Sequence, residues 1–428
     1  MNEDNWKYIL VNGKYKTVEV KNPVYERGRL VSIEDLRPFE KITEPDIDPI
    51  LPTVEDANDM KRRLYNSFFR KPFKNFLILA AAGASIDVKG PSMINLWNIA
   101  EAKYKIFIGD EVKEDGFKII LDAVKYTSDK KDIEALLSQI EGTCKFTEDK
   151  KVTLDGQAKF LSDIKDEIFS IIKDNCSIPK PNADEVFPHK IFLEKLLQRK
   201  QTSPRVKVFT LNYDLLFEYA ATEINAIVID GFSFTFPRTF SGRFFDYDIV
   251  QREGSKLQEE DNFIQRVFHL HKLHGSLNWE KEAMNNHVII RDSPERPLMV
   301  YPREAKYEDS YEQPFFEMMA RFQRNLRLNN DTVLVSIGYS FNDKHINAAI
   351  EEALNQNPSF RLAVIDPGFD NEGVSNSLSI IKRLAIESER ILMVSETFSD
   401  FASFFPEIKT YENDNYELIN LKNEQSKD

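Results

Sequence analysis

The residues best suited to chemistry fall into four short clusters. Ala81-Ala82-Gly83-Ala84-Ser85 combines small side chains with a hydroxyl. Small residues let backbone N–H groups approach a ligand, and a helix starting behind them favours an anion such as phosphate. The stretch has neither G-x-G-x-x-G nor a Walker Gly-Lys-Ser/Thr, so a buried strand with a tight turn explains it equally well by itself. Thr210-Leu211-Asn212-Tyr213-Asp214 offers an amide that can orient hydroxyls or water, and a carboxylate that accepts N–H. Lys272-Leu273-His274-Gly275-Ser276 offers an imidazole, which exchanges protons near neutral pH. Gly338-Tyr339-Ser340-Phe341-Asn342-Asp343 is the fourth cluster, and Asp366 ends the last strong strand signal. Helix capping accounts simply for Asp214 and Asp343. It does not account for His274 beside a glycine, or for Asn212 just past a strand.

Each cluster ends an apolar run read as a strand. These runs are Phe76–Ala81, Val206–Phe209, Val267–Leu270 and Thr332–Ile337, and Arg361–Asp366 leads to the last carboxylate. Ala226–Ile229, Val288–Ile290 and Leu298–Tyr301 carry further strand signals. Helical patterns cover 54–70, about 314–328 and about 343–356. Continuous apolar strands alternating with helices predict an α/β chain, a Rossmann-like mostly parallel sheet with helices on both faces. Such sheets bind ligands at the carboxyl ends of their strands. Between Leu96 and Lys200 the apolar spacing of three and four predicts a helical insert.

Residues 1–50 read as an N-terminal β appendage and linker, 51–410 as the nucleotide-binding domain, and 411–428 as a polar tail. In the appendage, Asn12-Gly13 between strand-like runs predicts a β-hairpin. Trp6, Tyr8, Ile9 and Leu10 are apolar surface that a small hairpin cannot bury alone. Contact between subunits is one way to cover it, and an edge of the chain's own sheet is the other. Pro45, Pro49 and Pro52 mark the linker.

At 428 residues and 42% hydrophobic content the chain supports a large core. No run reaches the ~18 apolar residues of a membrane helix, and the acidic start has no signal-peptide core. The net charge of −13 disfavours non-specific nucleic-acid binding by the chain as a whole. Cys144 and Cys176, far apart and without a CxxC pair, fit a reducing cytoplasm and argue against a cysteine zinc site. His269 and His271 share one face of a strand, and with His274 they invite a metal reading. Hydrogen-bonded sheet residues are the better expectation, so no metal is expected. Trp279 reads as core, and the acidic run Gln258–Asp261 as a solvated loop within a mobile segment of about 242–261.

Taken in order, AAGAS, TLNYD, KLHGS-LNW and GYSFND resemble the sirtuin-like domains of bacterial antiphage defence proteins, over about residues 70–400. That family binds NAD on a Rossmann-like sheet and cleaves the nicotinamide–ribose bond. The resemblance implies that Ala82, Gly83, Ala84 and Ser85 line the pyrophosphate. It places Asn212 and Asp214 at the nicotinamide ribose and carboxamide, counts Thr210 among the cofactor-binding residues, and makes His274 the general base. Gly338, Tyr339, Ser340 and Asp366 then surround the adenosine half. The implied activity is NAD hydrolysis for defence. Its alternatives are ADP-ribosyl transfer or deacylation, or a silent NAD or ADP-ribose sensing subunit. The family usually has Gly at the position of Ala81, where a methyl can crowd the pyrophosphate. The four-cysteine zinc ribbon of the deacetylase branch is missing. Family members of this length resemble those encoded beside a HerA-type hexameric ATPase, which implies control by homo-oligomerisation and that partner.

Overall fold

The computed structural model describes residues 5–39, 51–108, 111–128, 130–146, 150–200, 203–251, 263–299, 313–328 and 330–407. Pro45 and Pro49, the acidic run 258–261, Val300 and Tyr301 and the tail 411–428 lie outside these.

One ten-stranded sheet organises the chain. In chain order its strands are β1 (Trp6–Val11), β2 (Thr17–Lys21), β3 (Asp35–Arg37), β4 (Asn75–Ala80), β5 (Val206–Thr210), β6 (Ile227–Ile229), β7 (Val267–Lys272), β8 (Thr332–Ile337), β9 (Phe360–Ile365) and β10 (Ile391–Val394). Their spatial order is β6-β7-β5-β4-β8-β9-β10-β1-β2-β3. The seven strands from β6 to β10 are parallel, and β1, β2 and β3 add on antiparallel.

β4 is buried at every position because both sheet faces are covered. Phe76, Ile78 and Ala80 face one apolar cluster, which holds α1 (Val54–Phe69) and its Tyr65, Phe68 and Phe69. Leu77 and Leu79 face the other, with Phe322 and Ile350. This is the period-two alternation of a strand sandwiched between helix layers. Thr53 and Asp56 start α1 with a reciprocal capping box.

The N-terminal hairpin lies on the chain's own sheet. Leu10 pairs with Val394 and Val11 with Met393, so β1 covers the β10 edge. Ile9, Leu10, Val18, Val20 and Leu36 are buried in the same cluster as α1. The Asn12 amide donates to the carbonyls of Glu389 and Ile391. Of the two ways to cover the hairpin's apolar surface, the structure uses the intrachain one.

The insert comprises α2 (Met93–Tyr104), α3 (Gly116–Ala123), α4 (Ile133–Phe146) and α5 (Leu161–Cys176). These build a third apolar cluster of their own, which also takes in Tyr213 from the TLNYD cluster. The insert therefore packs directly on the ends of the sheet strands. The spacing predicts a wholly helical insert, but the structure adds two β-hairpins to it. Lys105–Ile108 pairs with Glu111–Asp115, and Lys151–Leu154 with Gln157–Phe160. The second hairpin turns at Asp155-Gly156, both with positive φ (48° and 72°), a legible Asp-Gly signal. The helix Pro188–Leu196 belongs to the main core and not to the insert's cluster. Val288–Ile290 pairs with Trp279–Lys281 and Leu298–Met299 with Gly275–Ser276, both outside the central sheet.

Candidate functional site

From β4 the chain goes to β5 on one side, while β8 lies on the other. Strand order reverses at this point, and in open α/β sheets it is beyond the carboxyl ends of the strands at such a switch point that ligands bind. A cleft of about 2570 Å3 lies there, lined by all four clusters and by insert residues such as Tyr126 and Glu134.

The loop after β4 does not run straight into an α-helix. It makes two 3-10 turns, Ala82–Ala84 and Ile86–Val88, and α2 begins only at Met93. Gly83 N–H donates to Gly338 O (3.0 Å), Ala84 N–H to Ala81 O (2.8 Å) and Ser85 N–H to Ala82 O (3.0 Å). Three of the four expected anion donors are thus engaged by the protein, and of the four only Ala82 N–H lacks a partner among the described residues. Gly83 is glycine for a different reason: a Cβ there would sit 2.5 Å from Gly338 Cα. Gly338 has φ +61°, and its own Cβ would lie 2.4 Å from Gly83. The two loops touch backbone to backbone, which only a glycine pair permits. Ala81 is extended (φ −130°), buried, and part of the apolar cluster around Leu79 and Phe209. Its backbone suits any L residue, and its methyl packs in that core.

Asn212 is held by a short hydrogen-bond chain. Its Nδ2 donates to Ala81 O (3.0 Å) and to Ser85 Oγ (2.9 Å), and its backbone N–H donates to Thr210 Oγ1 (3.1 Å). Ser85 Oγ donates in turn to Asp214 Oδ2 (2.7 Å). A carbonyl only accepts, so the contact with Ala81 O fixes which end of the amide is nitrogen. Oδ1 is left without a partner among the described residues, an acceptor available for a hydroxyl or water. Asp214 is buried, and its other oxygen accepts Leu216 N–H (3.1 Å). It therefore anchors the relay as well as the helix that follows.

His274 sits just past β7. Gly275 behind it has φ +100°, and a Cβ there would meet Leu298 O at 2.2 Å, so the tight turn requires glycine. His274 Nε2 lies 3.3 Å from Asp343 Oδ2. Asp343 Oδ1 caps the helix Lys344–Gln356 through His345 N–H (2.8 Å) and Ile346 N–H (3.2 Å). Burial alone would depress the imidazole, but the Asp343 contact and the charge of Glu134 outweigh it, so its pKa lies above the ordinary 6.5. Burial raises Glu134, against the pull of His274 and of the Tyr213 hydroxyl, which donates to it at 2.7 Å. Burial also acts on Asp343, but His274 and the two cap N–H groups hold its carboxyl below the usual range. Glu134 and the partnership of Asp343 were not anticipated. Asp343 was visible only as a cap, and Glu134 lies on α4 with no motif to mark it.

Around the fourth cluster, Tyr339 is core, its hydroxyl donating to Asn347 Oδ1 (2.8 Å) and Asp343 O (3.1 Å). Ser340 is exposed, and its Oγ accepts from Asn342 (3.0 Å). Asp366 accepts Gly368 N–H at 2.7 Å, and burial raises its pKa. All three line the cleft together with Gly338. His271 stacks between Phe209 (4.5 Å) and Phe245 (4.1 Å), and neither ring nitrogen has a hydrogen-bond partner among the described residues, so its side chain does not make the expected hydrogen bond. Trp279 is core against Phe232. Among the described residues no three His, Cys, Asp or Glu side chains form a metal-like group, and no helix is long and apolar enough to cross a membrane.

A family model described as a SIR2-like domain matches residues 206–383. That span holds Asn212, Asp214, His274, Gly338, Asp343 and Asp366, and it supports a sirtuin-like family and NAD-dependent activity in general. It leaves out the first cluster, the insert and the N-terminal hairpin. No curated protein matches the chain.

Proposed function

We propose that the protein is an NAD glycohydrolase, cleaving NAD to nicotinamide and ADP-ribose. The observation that carries this reading is the fixed amide of Asn212, whose Oδ1 has no partner among the described residues and lies in a cleft also lined by His274. Breaking the C1′–nitrogen bond releases neutral nicotinamide and leaves positive charge on the ribose. Asn212 Oδ1 would hold a ribose hydroxyl or the incoming water, an orientation effect. Water adds to C1′ and loses its proton to His274. With Nε2 turned to Asp343, the neutral ring carries its proton on Nε2 and accepts on Nδ1. Asp366, at the end of β9, would take hydroxyls of the adenosine ribose. The leaving group is already activated by its positive charge, so these steps call on no Lewis acid.

We further propose a cytoplasmic role in antiphage defence by NAD depletion, with homo-oligomerisation and a HerA-type hexameric ATPase as controls. This part rests on the motif resemblance alone. Ala81 does not favour a silent sensor, because its methyl belongs to the core. The test is to incubate purified protein, alone and with the ATPase, with NAD and follow nicotinamide. Release lost in Asn212→Ala is the expected result. NAD bound but never cleaved, under both conditions, would identify a sensor.

A further inference from the structure

We infer that the small hairpin following β2 is part of the nucleotide site, and that its Arg27 binds the adenosine-side phosphate of the dinucleotide. This rests on the NAD reading above. Val24–Glu26 and Arg29–Ser32 form a second small hairpin, turning at Arg27-Gly28 with φ of 46° and 78°. Its tip reaches the cleft. Arg27 and Gly28 line the cleft with Asp366, Pro367 and Thr397. A Cβ on Gly28 would lie 3.2 Å from both Pro367 and Thr397, so the turn rests directly on the loops after β9 and β10. Arg29 Nε bonds Asp400 Oδ2 at 2.8 Å and ties the hairpin down.

Charge argues for a ligand at this tip. Three of the carboxylates near it already face other groups. Asp400 holds Arg29, Glu396 faces Lys61 (3.4 Å) and Arg62 (3.6 Å), and Asp87 accepts Ser399 N–H. Arg27 is exposed and has no carboxylate partner among the described residues. The loop after β4 holds one cation, Lys89, which is paired with Glu185 at 2.8 Å, and three of the loop's N–H groups are engaged. A doubly charged pyrophosphate needs a positive partner from elsewhere, and guanidinium suits phosphate. Arg27 presents one beside Asp366, the carboxylate assigned to the adenosine ribose.

The test is calorimetric titration of AMP, ADP-ribose and nicotinamide mononucleotide into the full chain and into Arg27→Asn. Asparagine removes the charge and tolerates the left-handed backbone. The expected result is a roughly tenfold loss of AMP and ADP-ribose affinity, as for a hydrogen bond to a charged group. Nicotinamide mononucleotide, which lacks the adenosine half, should bind the variant and the parent alike. ADP-ribose affinity unchanged in Arg27→Asn, or an equal loss for all three ligands, overturns the role of Arg27. A parent chain that binds none of them overturns the NAD reading itself. A circular-dichroism melt matching the parent establishes that the variant is folded.

Discussion

The imidazole Nε2 of His274 lies 3.3 Å from Oδ2 of Asp343, while the other oxygen of Asp343 caps the helix Lys344–Gln356. One carboxylate thus sets the tautomer of the ring, raises its pKa and fixes its own position through backbone N–H groups. A general base works only when neutral. Turnover should therefore rise with pH through an acid limb centred above 6.5, the ordinary histidine value. Asp343→Asn keeps a capping side chain but removes the charge, so the acid limb should move to lower pH as kcat falls. The raised pKa also makes His274 a source of stability that is full at acid pH and lost as pH rises through the folded value. The variant should lose that acid-side stability. An acid limb that does not move would remove Asp343 from the mechanism.

His274→Ala should cut kcat by about 100- to 10,000-fold and leave NAD affinity nearly intact, because proton transfer acts on the transition state. Single-turnover nicotinamide release together with equilibrium NAD binding measures the two separately. Loss of binding in step with turnover would make His274 a ligand contact instead.

Asn212→Ala should abolish cleavage with little change in melting temperature, since the half-buried amide fills no core. Ser85→Ala should be costlier to the fold. It strips Asp214 Oδ2 of its donor in a buried place, worth about 1–3 kcal/mol, and frees the Asn212 amide to turn. Chemical denaturation and nicotinamide release together check both variants. A Ser85→Ala protein of parental stability and rate would show that the relay does not hold Asn212.

Gly83→Ala tests the contact between the loops. The new methyl meets Gly338 Cα at 2.5 Å, backbone against backbone, with no side chain able to yield. Overpacking of this kind costs about 1–3 kcal/mol or more, and the loops must part to relieve it. A lower melting temperature and loss of NAD binding are expected. Parental values for both would mean that the loops separate freely.

Removal of residues 1–39 should destabilise the chain. Ile9, Leu10, Val18, Val20 and Leu36 leave the core together, at about 1.5–3 kcal/mol for each fully buried side chain, and the β10 edge is bared. Aggregation or a much lower melting temperature in light-scattering and thermal scans is expected. A soluble truncated chain that melts like the parent would show that the hairpin contributes little to the fold.

The amino-acid sequence by itself determined the parallel sheet, the places of the four clusters and the glycine turns. Those features depend on local pattern: continuous apolar runs where both faces are covered, and small residues where the chain turns sharply. The Asp155-Gly156 turn is equally local in origin, but the three-and-four apolar spacing of the helices on either side of it masks its two short strands. The tertiary structure decided which polar groups remain available. Gly83 N–H looks free in sequence and is engaged by Gly338 O, 255 positions away by residue number. Asn212 presents its carbonyl only because Ala81 O and Ser85 Oγ take both amide hydrogens. Glu134 reaches the surroundings of His274 only because the insert's core packs on Tyr213. A hydrogen bond needs its partners within about 3 Å, and no spacing rule reports which distant segments the fold brings that close.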